Sequence, residues 1–499
     1  MKNNLFEFIP LGGLGEVGMN CSLFKFGEQK LVIDAGILFA DSNDFGIEAI
    51  LPDFWSLIDK EAPQSWFITH AHEDHIGALP FAFKVAQTLK KKMPQVYLPE
   101  LAYWIVKEKL KEEPSLKWET VESSITILEA GETVEIGDLK VKSLKNRHST
   151  LDTCSLAFEW QHKENESLKM LHTGDFKLDY HEFEDGVLSV SDLNPFKGDE
   201  CDFLFIDSTN SPRDGQSVSE KEIWPYLSKA IENHDGRIFA TLFSSNLYRI
   251  ASLIHIGQKH GKKVALVGRS MQQIFRIARE RGLFEKYCPK FSFEDIVEAD
   301  QINQFPLEKQ LVLCSGSQGE IRSVLWKLSM GTHHQFRIQE NDLILFSSKT
   351  IPGNEKPVGR LVNQLMKAGA KIIEGDNSVT ELGGPIHASG HGRSVEVSTV
   401  MEELRAKNVV PVHGEYRHLF ECSRLASKVS REKSFSSRQF VVTNGDHLSF
   451  EFKNGNWVKK SLKNFEGILP KFLRFENQYT FGREDFLRER KRAALGGVV

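Results

Sequence analysis

The sequence predicts an α/β protein built from several domains. Three observations carry that prediction. A chain of 499 residues is longer than one compact core usually organises, which argues for about two to four domains. Roughly the first 200 residues read as short strands with few long helices. From about residue 215 to 375 strands alternate with helices, the pattern of a parallel sheet flanked by helices.

In chain order, NCSLFKF (20–26) alternates in polarity, GEQ turns the chain, and KLVID (30–34) continues as a strand. SWFITH (65–70) is a buried strand running into a cluster of histidines. The segments 76–87 and 101–112 carry helical periodicity, and 139–146, 154–160 and 168–175 carry that of strands. After FLFIDSTN (203–210) come four strand–helix pairs: 236–243 with 246–260, 263–268 with 270–282, 311–315 with 319–329, and 342–347 with 358–369. Two further helices, 393–407 and 416–429, flank the strand NVVPVH (408–413), and a charged helix-like run, 483–495, ends the chain. No internal repeat or low-complexity linker interrupts this order.

Composition excludes several classes. Hydrophobic residues make up 40% and charged residues 26%, the balance of a folded globular chain and not of a disordered one. No apolar run reaches the roughly 18 residues a membrane span needs, and residues 1–13 lack the apolar stretch of a secretory signal. The six cysteines, at 21, 154, 201, 288, 314 and 422, form no CxxC pair, which fits free thiols in a reducing cytoplasm. With a net charge of −5, any site for a polyanion has to be a local basic or metal-lined groove.

The chemistry concentrates in FITHAHEDHIGALP (67–80). Imidazole and carboxylate are the usual ligands of zinc and similar divalent ions. Four such side chains within six residues at a strand end cannot all face a core. Their spacing divides them: His70 and His72 suit one ion, Asp74 and His75 a second. One loop supplies too few ligands for two ions. Three more strand-end residues qualify: His148 in KNRHSTLD, Asp175 in LHTGDFKLD and His413 in NVVPVHGEYRHL. Asp34, in LVIDAG, suits a carboxylate that orients a ligand imidazole from behind. Two divalent ions, zinc by preference with manganese accommodated by the same ligands, lower the pKa of a water between them toward neutrality. Asp175 is the carboxylate expected to span both ions.

Residues 13–18, Gly-Leu-Gly-Glu-Val-Gly, match a dinucleotide-binding fingerprint, with Asp34 about 20 residues on. That fold needs a helix after Gly18. NCSLFKFGEQ alternates like a strand and then turns, so the glycines are expected in a tight turn of a β-meander.

These residues resemble the metallo-β-lactamase superfamily, whose HxHxDH signature is His70, His72, Asp74 and His75 here. His148, Asp175 and His413 match its later ligand motifs in order. Residues 209–376 look like the β-CASP insertion of the nucleic-acid-cutting members: Asp207 matches the first acidic motif, His391 in IHASGHGR the second, and His413 the third, where a histidine accompanies RNA processing. The strings PLGGLGEVGMN, THAHEDHIGALP, HTGDFKLD, IDSTNS, VGRSM, SGSQGE, IPGNE, HASGH and PVHGEYRHL narrow the resemblance to the ribonuclease J family. Three departures stand out: STLDT follows His148 where the family has a proline-containing segment, Ala71 replaces a more frequent glycine, and the family's C-terminal domain looks truncated.

The resemblance implies a metallo-β-lactamase αββα sandwich (1–208, completed by 377–450), a β-CASP α/β domain (209–376) and a short extension (451–499). It implies a cytoplasmic, metal-dependent ribonuclease that cuts single-stranded RNA as an endonuclease and 5′→3′ exonuclease, leaving 5′-phosphate and 3′-hydroxyl ends. It makes the loop His387, Ala388, Ser389, Gly390 and His391 a phosphate-binding element, the bland alternative being a helix N-cap at Ser389. His391 becomes the proton donor to the leaving 3′ oxygen, oriented by Asp207. Arg269 and Lys349 are candidates for the RNA backbone, against the alternative of solvated surface charge. His172 is expected behind Asp175, and His418 in a structural role. A homo-oligomer is compatible with the family pattern, though the short C-terminus weakens it. Two other readings compete: another hydrolase of the superfamily, such as a thioesterase, which the insertion and the Asp207–His391 pair disfavour, and an RNA-binding scaffold with a decayed site, which the full ligand set disfavours.

Overall fold

The computed structural model describes residues 4–39, 47–113, 116, 118–163, 166–183, 186–196, 200–351, 353–375, 382–465, 472–475 and 478–481. Two sheets stack face to face. In spatial order the first holds Asn456–Asn464, Asp446–Lys453, Leu5–Gly12, Cys21–Phe26, Gln29–Ile33, Ser65–Phe67, Gln95–Leu98 and Ile125–Ile127. The second holds Arg438–Gln439, Asn408–Val412, Phe203–Asp207, Glu166–His172, Cys154–Lys163, Leu139–Lys145 and Thr133–Ile136.

Period-two alternation sorts the side chains of these strands between layers. Phe6 and Phe8 enter the core between the sheets, while Ile9 and Leu11 face helices outside. In the second sheet Phe203 and Phe205 point inward and Leu204 and Ile206 outward. The inter-sheet layer is strongly aromatic, with Phe6, Phe8, Phe24, Phe26, Phe158, Trp160, Phe203, Phe205, Phe450 and Trp457 all buried. Burying one such ring contributes roughly 1.5–3 kcal/mol, so this layer is a main source of the rigidity beneath the site. Helices Leu79–Thr88 and Glu100–Lys111 cover the first sheet, and Ser394–Leu404 and Tyr416–Glu432 the second. The result is the expected αββα sandwich.

A third sheet, entirely parallel, runs in the order Lys263–Val267, Gln310–Cys314, Ile238–Thr241, Leu343–Phe346 and Lys371–Glu374. Helices Leu247–Lys259 and Arg269–Glu280 pack on one face, Val324–Ser329 and Glu355–Lys367 on the other. The helix expected over 319–329 is shorter, Val324–Ser329. Gly319 and Arg322 have φ of 75° and 71°, left-handed values that a right-handed helix excludes.

The hairpin Asp446–Lys453/Asn456–Asn464 pairs with Leu5–Gly12, so the first sheet continues past the boundary expected at 450/451. The boundary at 376/377 and the run 483–495 fall outside the described residues. All six cysteines are buried and free. Among the described residues no helix is long and apolar enough to cross a membrane.

Candidate active site and metal centre

The chemistry-bearing residues gather at one end of the sandwich. Strand Ser65–Phe67 runs parallel to its neighbours in the first sheet, and Glu166–His172, Phe203–Asp207 and Asn408–Val412 run parallel in the second. His70, Asp175, Asp207 and His413 lie at or just beyond the carboxyl ends of these strands, the edge where open α/β sheets place ligands.

The loop after Phe67 is held by backbone bonds: Asn20 N–H to Asp74 O (2.8 Å), Ala35 N–H to His75 O (2.7 Å) and Ile37 N–H to Glu73 O (3.1 Å). Gly36 passes so near that a Cβ there would lie 1.7 Å from Asp74 O. The Gly13–Gly18 segment forms a turn of left-handed glycines with no helix after it, as the alternation of 20–26 implied. It has a use that its pattern did not reveal. Gly15 N–H donates to Gly414 O (2.9 Å) and Gly414 N–H to Gly13 O (3.0 Å). This clasp holds the sharp turn in which His413 takes φ 55° and Gly414 φ 138°.

All seven expected ligands come together. His70 Nε2 lies 3.0 Å from His72 Nδ1, which lies 3.2 Å from His148 Nε2. Asp175 Oδ2 is 3.8 Å from both His70 Nε2 and His148 Nε2. In a second group, Asp74 Oδ2 is 3.6 Å from His75 Nε2 and 3.4 Å from His413 Nε2. Asp175 joins the groups, with Oδ2 3.3 Å from His75 Nε2 and Oδ1 3.4 Å from His413 Nδ1. Each group has three or more ligand atoms within 4.8 Å of one another.

The surrounding hydrogen bonds decide which nitrogens carry protons. Carbonyl and carboxylate oxygens only accept, so an imidazole nitrogen facing one is protonated, and in the neutral ring the other nitrogen keeps the lone pair that binds a metal. His148 Nδ1–H donates to Gly390 O (2.7 Å) and His75 Nδ1–H to Asp34 Oδ2 (2.8 Å). Thr69 donates its hydroxyl to Asp34 and so accepts from His70 Nδ1–H (3.0 Å). Thr209 Oγ1 accepts from His413 Nδ1–H (2.7 Å). Four Nε2 atoms therefore converge on a buried centre, turned toward any ion that enters it. His413 Nε2 is buried there with no hydrogen-bond partner. These imidazole and carboxylate donors suit a divalent metal ion, zinc among them.

Electrostatics divide the imidazoles likewise. Burial, with neighbouring imidazoles, holds His70 and His148 well below the usual histidine range and His72 at about 4. Burial also opposes charge on His75 and His413. There the carboxylates, Asp175 foremost, prevail, holding His75 well above its ordinary value and His413 at about 10. Burial raises Asp74 and Asp175 as well, but the facing imidazoles outweigh it and keep both low.

His391 stands at the mouth. Its Nδ1–H donates to Asp207 Oδ2 (2.7 Å), and its Nε2 faces Asp175 Oδ2 at 4.0 Å. Burial works against charge on His391, but Asp207 and Asp175 raise its pKa. In the loop 387–391, Ser389 Oγ accepts from Asn210 Nδ2 (2.8 Å) and from His391 N–H (3.2 Å). Ser389 is no N-cap: the following helix begins at Ser394, behind Arg393. His387 Nδ1 lies 3.4 Å from Ser347 O in the third-sheet domain. A pocket beside Ala388, Ser389 and Gly390 also contains Arg147, Lys177 and Asp179. Both cations are buried, 3.9 and 3.7 Å from the Asp179 carboxylate.

Asp34 stands behind His75, as its position at a strand end suggested. His172 Nδ1 accepts from Gly174 N–H (3.1 Å), bracing the turn that presents Asp175, and His418 Nδ1 accepts from Glu415 N–H (3.1 Å) in a helix cap. Arg269 is exposed at the start of its helix and Lys349 half-buried in a loop, both at the carboxyl edge of the third sheet. Sequence reading missed Asn20, whose Nδ2 reaches His75 Nε2 (3.0 Å), and Thr69, Thr209 and Asn210. Thr209 and Asn210 adjoin Asp207 in IDSTN; nothing in the pattern around Asn20 marks it.

Comparison with known proteins agrees with this geometry. Residues 235–365 match the family model "Ribonuclease J, beta-CASP domain", and residues 385–435 match "Zn-dependent metallo-hydrolase RNA specificity domain". The chain is 31% identical over 502 aligned residues to Ribonuclease J of Synechocystis sp., covering 100% of this chain and 72% of that protein. It is 31% identical over 453 residues to Ribonuclease J of Thermus thermophilus, covering 89% and 75%. With Ribonuclease J of Helicobacter pylori (strain B128) the identity is 33% over 416 residues, covering 83% of this chain and 56% of that protein. A solved protein of unknown function from Enterococcus faecalis V583 shares the fold, with a TM-score of 0.57 at 13% identity, covering 89% of this chain and 100% of that one. With its sandwich, its parallel-sheet insertion and its histidine–aspartate centre, the chain belongs to the ribonuclease J family of metal-dependent ribonucleases.

Proposed function

We propose that the protein hydrolyses single-stranded RNA at a centre of two divalent ions, zinc by preference, leaving 5′-phosphate and 3′-hydroxyl ends. In this reading His70, His72 and His148 would hold one ion and Asp74, His75 and His413 the other, with Asp175 available to both groups. When bound, the ions supply Lewis-acid stabilisation of the phosphate charge and an activated water. The observation that carries the reading is the convergence of four Nε2 atoms, among them the buried His413 nitrogen with no hydrogen-bond partner, around Asp175.

The chain's own residues do the rest. Asp207 holds His391 by Nδ1, which leaves the Nε2 proton facing the centre. As the water oxygen bonds to phosphorus and gives a proton to solvent, the P–O3′ bond breaks with its electron pair on O3′, which takes the His391 proton; solvent then returns a proton to His391. Asp207 favours the protonated form of His391 by raising its pKa. The loop 387–391 offers a cradle for phosphate: the backbone amides of Ala388, Ser389 and Gly390 donate to no protein acceptor among the described residues. The pocket beside it, with Arg147 and Lys177, suits a terminal 5′-phosphate. That arrangement supports 5′→3′ exonuclease action beside internal cutting, in a cytoplasmic setting that six free thiols fit.

The test is digestion of end-labelled single-stranded RNA bearing a 5′-monophosphate or a 5′-triphosphate. The expected result is stepwise nucleotide release from the monophosphate end, weaker exonuclease action on the triphosphate, and none with His72→Ala/Asp74→Ala. Equal cutting by that variant contradicts the site, and a preference for DNA contradicts the substrate.

A further inference from the structure

Arg249 lies in helix Leu247–Lys259 of the parallel-sheet domain and is fully buried. Its guanidinium is completely engaged. Nε and Nη2 bind the two carboxylate oxygens of Glu220, itself 8% exposed, with Nη2 to Oε2 at 2.9 Å. Nη1 donates to Ser347 O (2.9 Å), Ser347 Oγ (2.6 Å) and Ile386 O (3.3 Å), and Nη2 also reaches Ala388 O (3.4 Å). Ser347 Oγ in turn donates to Ile386 O (2.7 Å).

Ile386 and Ala388 bracket the start of the loop that carries His391, and that loop has no regular secondary structure of its own. Its alternate carbonyls are held from two sides: Ile386 O and Ala388 O by Arg249, and Gly390 O by His148. One anchor belongs to the inserted domain and the other to the metal group. We propose that Arg249, locked by Glu220, is a positioning residue for RNA hydrolysis: through Ile386 and Ala388 it sets where His391 meets the leaving 3′ oxygen. The proposal rests on His391 being the proton donor. It accounts for the cost of burying an arginine, since a planar fork of five N–H donors spans a carboxylate and several carbonyls where the lysine ammonium, a point donor, does not.

The test separates proton delivery from the rest of catalysis. Two RNA substrates of one sequence are compared, one with the normal scissile linkage and one with a 3′-bridging sulfur, whose thiolate leaves without a proton. The variants are Arg249→Lys, the double variant Arg249→Met/Glu220→Gln, and His391→Ala. The double variant removes both charges and so leaves no unpaired buried ion to unfold the protein. Bound metal per chain and thermal unfolding are measured alongside. On the normal linkage both Arg249 variants are expected to lose about 100-fold in kcat, the scale of a misplacement of about 1 Å. On the sulfur linkage the loss should shrink to under about fivefold, metal content unchanged, with His391→Ala recovering likewise. If His391→Ala is not recovered by sulfur, the proton-donor reading fails. If it is recovered but the Arg249 variants lose equally on both linkages, or if Arg249→Lys is fully active, the positioning role is overturned.

Discussion

His391 Nδ1 lies 2.7 Å from Asp207 Oδ2, a hydrogen bond between residues 184 positions apart. Asp207 sits at the end of a sandwich strand, His391 in the return from the inserted domain. Removing either should therefore disturb proton transfer more than metal binding. His391→Ala is expected to lower kcat by about 10²–10⁴-fold, the usual contribution of general acid catalysis. Asp207→Asn should lose less and shift the basic limb of the pH–rate profile to lower pH, because the carboxylate that raises the His391 pKa is gone. Metal analysis should find both proteins loaded as the wild type is.

Asp34 acts on the metal side. It accepts hydrogen bonds from His75 Nδ1–H and from the Thr69 hydroxyl and amide N–H. Asp34→Asn should keep the fold and weaken metal affinity by about 10–100-fold, the effect of losing a partner behind a ligand histidine. Competition with a chromogenic chelator measures it, and an unchanged affinity would remove Asp34 from the account.

Two glycines make the divided ligand set testable. A Cβ on Gly390 would come within 2.5 Å of the His148 ring, and one on Gly36 within 1.7 Å of Asp74 O. Gly390→Ala is thus expected to spoil the His70–His72–His148 group and Gly36→Ala the Asp74–His75–His413 group. Each should lower bound metal from two ions per chain toward one. Two ions in both variants would contradict the partition.

Metal-free protein should show a particular pH dependence. His75 and His413 have raised folded-state pKa values, so their contribution is full below the ordinary value of about 6.5 and is lost as pH climbs, through about 10 for His413. His70, His72 and His148 are lowered, and so cost stability as pH falls below about 6.5. Asp74 and Asp175 are lowered too and lose their contribution only toward and below about 4. The site's contribution to metal-free stability should then peak near pH 6.5. An entering ion displaces protons from His75 and His413, so apparent metal affinity should rise with pH by more than the tenfold per unit of a single proton. Thermal unfolding from pH 5 to 9.5, with and without chelator, checks both. A flat metal-free profile would contradict the assigned charges.

Much of this was legible in the chain because it is local. Period-two alternation put Phe6 with Phe8, and Phe203 with Phe205, on one face of their strands, and the spacing of His70, His72, Asp74 and His75 already divided them into the two groups found in the fold. The strand-end positions of His148, Asp175 and His413 needed only the rule that sites gather at carboxyl edges. Other parts depend on contacts between distant segments. Asn20 reaches His75 across 55 positions, Thr209 reaches His413 across 204, and Arg249 reaches Ala388 across 139. No local period encodes such pairs. The glycines at 13–18 were readable as a turn, but their grip on Gly414 appears only when the two ends of the sandwich chain meet.

Hydrolysis by water at a metal centre, with His391 protonating the leaving 3′ oxygen, fixes where each oxygen of the products comes from. The most direct measurement is mass spectrometry of RNA products formed in ¹⁸O-enriched water by the zinc-loaded protein. One ¹⁸O is expected in each new 5′-phosphate, with an unlabelled 3′-hydroxyl on the other fragment. Products ending in a 2′,3′-cyclic phosphate, or new 5′ ends without ¹⁸O, would contradict it.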